Sequence, residues 1–189
     1  MPQKAKPTPR RSDQTKAAIL AAARRHFAAS GYERATIRAI AVDAGIDPAL
    51  VMRYFGTKDK LFAAAAEFDL RLPDLTVVPR RTLGSVLVGY FLDRWEGDES
   101  LQALLRAAVS HKVAVARLRA IFATQVMPAV ARLGRDRATA TRVGLVATQM
   151  LGLALCRYVL RLPPVVALDR AAVIRWLAPT IQRYLTGSP

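Results

Sequence analysis

Cysteine is nearly absent: this chain of 189 residues carries one, Cys156, set in an apolar run. A single thiol closes no disulfide within the chain, which excludes a stapled secreted scaffold and fits a reducing cytoplasm. In such surroundings the thiol reads as a small buried hydrophobe. Histidine is almost as scarce. His26 follows Arg24 and Arg25 and reads as a surface residue, His111 stands apart, and neither has a partner at metal-ligand spacing. No glycine-rich phosphate loop and no nucleophile motif occurs. The expectation is therefore no enzyme, no metal and no cofactor. Aromatic residues make up 7% and form no stacking platform of the kind RNA-binding modules use. Long apolar runs are missing too. The longest uncharged stretch, 143–156, is interrupted by Thr148 and Gln149 and falls short of a bilayer span, so no membrane partner is expected. The first eleven residues carry Lys4, Lys6, Arg10 and Arg11 with three prolines, and no apolar segment follows them as a signal peptide requires.

Acidic residues are the other shortage. Fourteen Asp and Glu stand against 29 Lys and Arg, a net charge of +15. The excess is spread along the chain, with 12 cations against 5 acids in 1–60 and 17 against 9 in 61–189. Such a charge favours a polyanionic partner: DNA, RNA or an anionic membrane surface. A membrane-surface helix concentrates its cations on one amphipathic face, and no segment does so. A genome rich in Arg and Ala codons yields the same composition, so the motifs have to decide.

Apolar residues, at 52%, supply a sizeable core, and their spacing is helical throughout. Prolines at 2, 7 and 9 mark 1–11 as a disordered basic arm. Ile19, Leu20, Ala23 and Phe27 predict a helix over 13–29, capped by Ser12 or Asp13 and stopped by Gly31. Short helices follow over 37–44 and 48–54, and Gly56 ends the second. Thr57 caps a fourth that runs from 58 to about 70. Pro73 and Pro79 bracket a linker. Further helices are expected near 80–95, 99–109, 112–132, 136–161 and 169–186, separated by Gly97, Gly134 and Pro163–Pro164. The fold class is all-α, with about nine helices. The expected division is a basic arm at 1–11, a helix-turn-helix unit at 12–57, a connecting helix within 58–73 and a helical bundle at 74–189.

The informative stretch is 36–55. Two short helices crossing near a right angle need a small residue at the crossing, which Ala41 supplies. The turn needs a residue tolerant of positive φ, and Gly45 stands four positions later. Ile37, Ile40, Ile46 and Val51 have the spacing to plug the angle. Asp47 and Pro48 are an N-cap and a first helical residue, and Thr36 caps the helix before. An ordinary corner of a helical bundle meets the same demands.

The wider pattern is more specific. Ile19-Leu-Ala-Ala-Ala, Phe27, Gly31-Tyr32, Thr36-Ile37, Ile40-Ala41, Ala44-Gly45-Ile46, Tyr54-Phe55-Gly56, Lys58 and Leu61-Phe62 together resemble the DNA-binding region of the tetracycline-repressor (TetR) family over 17–62. The resemblance implies a transcriptional regulator, typically a repressor, that binds a pseudo-palindromic DNA operator as a homodimer and is released by a small-molecule effector. A recognition helix presents its N-terminal residues to base edges. Here these are Pro48, Ala49, Met52 and Arg53. Arg53 suits a guanine or a phosphate, and Ala49 and Met52 suit a thymine methyl. The resemblance implies a base or phosphate contact for Arg38 and phosphate contacts for Thr36, Tyr54 and Lys58; the Tyr54 ring is alternatively a packing element. Phe55 and Phe62 are assigned to the core. Lys4, Lys6, Arg10 and Arg11 suit an adjacent minor groove. The chain departs from the family pattern twice. Met52 stands where members often carry an aromatic, and Asp47 where they carry Ser or Thr, which places a charge repelled by phosphate beside the recognition helix.

In the second half, 143–161 intersperses small residues with Leu145, Met150, Leu151, Leu155 and Val159, and 171–185 has a broad apolar face. The resemblance implies that these helices pair with their copies as a four-helix bundle; Leu151, Leu155, Val173, Trp176, Leu177 and Ile181 are the interface candidates. An intramolecular core is the alternative. Tyr90, Phe91, Trp95, Phe122, Met127 and Met150 are candidate walls of an effector pocket, with Gln125 and Arg157 as polar members, while His111 and Gln149 are further polar candidates. Plain core packing explains the same set.

Overall fold

The computed structural model describes residues 11–134 and 138–187. The expected arm, with Lys4, Lys6 and Arg10, lies outside the described residues apart from Arg11. Among the described residues there are helices and no strands. The chain divides into two compact units, Met1–Glu67 and Phe68–Pro189.

The first unit holds α1 (Arg11–Arg34), α2 (Ile37–Ala44), α3 (Pro48–Phe55) and α4 (Lys58–Ala65). Helix α1 begins at Arg11, so Ser12 and Asp13 lie inside its first turn rather than capping it. Gly31 breaks it at φ 75°, and one further turn carries the chain to Arg34. Ile19, Ala22, Ala23 and Phe27 of α1 are buried, as are Ile40 and Ala41 of α2, Val51 and Phe55 of α3, and Leu61 and Phe62 of α4. The Phe62 ring stands edge-on to Phe27 and Tyr32, with centroids 5.0 and 5.1 Å away. Ile40 and Val51 plug the helix angle fully, whereas Ile37 and Ile46 are half-buried.

The second unit opens on an irregular segment and then builds α5 (Leu83–Glu96), α6 (Glu99–Ala108), α7 (Lys112–Ile121), α8 (Met127–Ala131), α9 (Thr139–Ala154), α10 (Pro163–Val166) and α11 (Arg170–Thr186). A π-helical turn, Phe122–Val126, joins α7 to α8, and another, Leu155–Val159, extends α9. The short α10 occupies the site expected to be only a break, because proline is well suited to a first helical turn. The core lies where α5, α9 and α11 meet: Leu87, Val88 and Leu92 pack with Val143, Val146, Val173 and Ile181. Gln182 of α11 ties down the start of α5, its Oε1 accepting the Gly84 N–H (2.8 Å) and its Nε2 donating to the Arg80 carbonyl (2.7 Å).

Two expectations need correction here. The fourth helix ends at Ala65 and not near 70. Lys112–Ala131 and Thr139–Val159 are each long and apolar enough to cross a bilayer by length and composition. Counting only uncharged residues hid this, since such spans tolerate a charge or two. In this fold both helices contribute to the helical core, through Ala114, Ile121 and Val130 and through Val143, Val146 and Met150.

Candidate nucleic-acid interface

The corner between α2 and α3 is built by local chemistry. Thr36 Oγ1 accepts the Ala39 N–H and starts α2 (3.1 Å). Gly45 ends it at φ 67°, ψ 34°, with its N–H on the Val42 carbonyl and the Ile46 N–H on the Ala41 carbonyl (2.9 Å). These two bonds satisfy carbonyls that the helix end leaves unpaired. Asp47 then caps α3 by accepting the Ala49 N–H (2.7 Å), and Pro48 occupies the first turn. A Cβ on Gly45 would meet nothing within 4 Å, so substitution there costs only backbone strain. Gly45→Ala is expected to destabilise the first unit by about 1–2 kcal/mol in denaturant titration, and Gly45→Asn by less.

The corner leaves one side of α3 in solvent. Pro48, Ala49, Met52 and Arg53 are exposed, Met52 at 40%, while Val51 and Phe55 on the opposite side are buried. At the start of α2, the cap Thr36 and Arg38 are exposed, and Tyr54 on α3 is half-buried. Arg38 and Arg53 have no ion-pair partner among the described residues, so both guanidinium groups are available to an anion. By contrast, Asp43 on α2 binds back to α1, receiving Arg25 at 2.9 Å and His26 at 3.4 Å. His26 is therefore a half-buried partner in a helix–helix contact rather than a loose surface residue.

Lys58 is more engaged than the sequence suggests. Its Nζ donates to the Glu33 carbonyl (3.1 Å) and sits 4.5 Å from the centre of the Tyr32 ring. The Tyr32 hydroxyl donates to Asp59, and burial together with that carboxylate raises its pKa to about 12, so it remains a donor. Lys58→Ala is expected to have two separable effects. It should weaken binding to all duplexes alike, flattening the salt dependence by about one unit. It should also lower the stability of the first unit by about 1 kcal/mol through loss of the ring contact, which thermal unfolding without DNA reads directly.

The second unit contains a cavity of about 130 Å³. Tyr90, Phe91, Trp95, Phe122 and Met150, all expected there, line it. Gln125, Met127 and Arg157 do not. Gln125 spends both ends of its amide on the backbone, donating to the Phe68 carbonyl (2.6 Å) and accepting the Leu70 N–H (2.7 Å). Met127 packs against the neighbouring core. Arg157 donates to the carbonyls of Val165 and Leu168 (2.8 and 2.9 Å). All three sit in or just after a π-helical turn, whose extra residue rotates the succeeding side chains off the face that 3.6-residue spacing predicts. Arg94 was missed. It lines the cavity, and its spacing from Tyr90 on one side and Asp98 on the other was the available signal.

The exposed face of α9 and α11 also differs in part from expectation. Val173 and Ile181 are buried in the chain's own core against α5 and leave nothing for a partner. Leu155 and Leu177 are half-buried. Trp176 is 73% exposed, Leu145 and Leu151 are partly exposed, and a Cβ at Gly144 or Gly152 would meet nothing within 4 Å.

Residues 19–65 match the model for bacterial regulatory proteins of the tetR family, and residues 82–185 match the tetracyclin repressor-like C-terminal domain. No curated protein matches the chain. Among solved structures, a TetR-family regulator from Streptomyces coelicolor A3 is 27% identical with a TM-score of 0.60, the match covering 96% of this chain and 99% of that one. A putative TetR-family transcriptional regulator from a Rhodococcus species is 15% identical with a TM-score of 0.70, over 92% and 100% of the two chains. The fatty acid degradation regulator FadR from Bacillus halodurans is 15% identical with a TM-score of 0.65, over 95% and 100%. The last two likenesses are of fold alone.

Proposed function

Because the chain belongs to the TetR family and is thus a DNA-binding transcriptional regulator, we propose that it is a cytoplasmic repressor acting as a homodimer on a pseudo-palindromic operator and released by a small molecule held in the second unit. One observation carries the reading: the opening of α3 stands in solvent with Pro48, Ala49, Met52 and Arg53 exposed, and the exposed Arg38 of α2 has no ion-pair partner among the described residues. In the proposed complex α3 enters the major groove, Arg53 contacts a guanine edge, and Ala49 and Met52 meet thymine methyl groups. Thr36, Arg38, Tyr54 and Lys58 hold phosphates and fix the register.

A single such helix makes few contacts, so specificity asks for two copies with recognition helices about 34–36 Å apart. The uncovered Trp176, Leu145 and Leu151 support α9 and α11 as the faces that pair. The cavity supports the effector role. Its wall residues Tyr90 and Arg94 also bond the backbone just beyond α4, Tyr90 at the Leu70 carbonyl (2.8 Å) and Arg94 at the Asp69 carbonyl (3.3 Å). A ligand that reshapes this wall changes the bonds that hold 69–71, giving it the differential interaction that release requires.

Selection of bound duplexes from a random pool tests the reading. The expected product is an inverted repeat with half-site centres about one helical turn apart, whose affinity falls steeply with salt. Equal retention of all duplexes would refute it. Repression is read from a reporter carrying the selected site, whose expression should fall when the chain is supplied.

A further inference from the structure

We infer that the cavity of the second unit takes a neutral, mostly hydrocarbon ligand of about one aromatic ring in size, carrying a single hydrogen-bond acceptor directed at Arg94. The inference rests on the effector reading above and specifies the chemistry of that site.

Three observations converge on it. First, size: a cavity of about 130 Å³ is close to the roughly 150 Å³ that holds benzene in an apolar protein interior. Second, composition: apart from Arg94, the Tyr90 hydroxyl and the Trp95 indole N–H, the wall is built of aliphatic and aromatic groups. The Tyr90 proton is already committed to the backbone carbonyls of Leu70 and Arg71. Third, an orphan: Arg94 Nε is buried and has no hydrogen-bond partner among the described residues. An unpaired N–H in apolar surroundings is unfavourable, and an acceptor on a ligand removes the penalty.

The charge of the ligand follows from the other arms of Arg94. Nη2 lies 3.5 Å from Asp98 and donates to the Asp69 carbonyl. The guanidinium is thus already balanced by a carboxylate. A second anion would have to shed its water in a hydrocarbon site whose lining, among the described residues, offers no cation besides Arg94. It would also ask for a two-pronged grip, and Nη2 is already engaged. A neutral carbonyl asks for a single N–H, and the buried Nε, unmatched among the described residues, supplies it.

The test uses the full chain and three probes of equal heavy-atom number: acetophenone, isopropylbenzene and benzoate, titrated by ligand-observed NMR. Acetophenone is expected to bind at least about tenfold more tightly than isopropylbenzene, with benzoate weakest. Arg94→Met should abolish the preference for the ketone while leaving isopropylbenzene bound. Should that variant unfold, Arg94→Met combined with Asp98→Asn leaves no unpaired carboxylate and keeps an acceptor for the Ser100 N–H, and it too should lose the preference. Tightest binding of benzoate, equal binding of ketone and hydrocarbon, or no binding of any probe would overturn the ligand class while operator binding stood. If the ketone binds with the expected preference yet never alters operator affinity, the ligand class holds and the effector reading fails instead.

Discussion

Gly84→Ala is expected to destabilise the second unit by about 1–4 kcal/mol, although it removes no side chain and raises helix propensity. A Cβ at this position would lie 2.4 Å from the Ala178 carbonyl oxygen, 2.8 Å from the Gln182 nitrogen and 2.9 Å from the Gln182 Cβ. Two of these atoms are backbone of α11, so no rotamer change relieves the overlap and the helices must separate. Separation loosens the packing of Leu87 and Val88 against Val173 and Ile181 and pulls the Gly84 N–H from Gln182. Overpacking costs about 1–3 kcal/mol, and the lost hydrogen bond adds about 1, while alanine returns up to about 1 in propensity. Thermal unfolding should show a fall of roughly 5–15 °C. Gly89→Ala is the control on the same helix. Its Cβ would first meet the tip of Arg170 at 3.5 Å, an ordinary contact, so its stability should stay within about 1 kcal/mol of the parent. Equal behaviour of the two variants would show that α5 and α11 do not approach as described.

The second large effect is on assembly. Trp176→Asp should split the proposed homodimer and lower operator affinity by about two to four orders of magnitude, with the chain's own melting temperature nearly unchanged. Trp176 is 73% exposed within one chain, so its ring is not needed for folding. Placed between two copies, a carboxylate would be buried without a partner, and its copy would face it across the two-fold axis. Once separated, each half-site must be bound independently, and the effective concentration supplied by the partner is lost. Sedimentation and operator titration read the two effects separately. A parent chain that sediments as a monomer, or a variant that remains dimeric with full affinity, would remove α11 from the interface. Ile181, fully buried in the chain's own core, is the contrast: Ile181→Asp should unfold the unit rather than merely divide the assembly.

These contrasts mark what local sequence conveys. The corner around Gly45 was legible because its determinants are its own residues: Thr36 and Asp47 as caps, Pro48 in the first turn, and a glycine where φ is positive. The end of α4 was not. Ala63 to Leu70 has no helix breaker, so the pattern runs on. The helix stops at Ala65 where residues distant in sequence take over the backbone beyond it, Gln125 holding Phe68 and Leu70, and Tyr90 holding Leu70 and Arg71. The cavity was half legible. The aromatic residues on α5 were placed correctly by helical spacing, whereas Gln125 and Arg157 sit in π-helical turns that such spacing does not register. The buried faces of Val173 and Ile181 were hidden for another reason. A helix apolar on most sides does not say which side meets its own chain and which meets a copy.

The central claim is that the Pro48 end of α3 lies in the major groove, once per copy. Dimethyl sulfate protection of guanine N7 on the selected operator tests it most directly, because that atom faces the major groove. Two protected patches about one helical turn apart are expected, with Arg53→Ala relieving protection at one guanine in each and costing roughly 1–3 kcal/mol there. Protection confined to a single patch, or unchanged when Ala49 and Arg53 are replaced together, would contradict it.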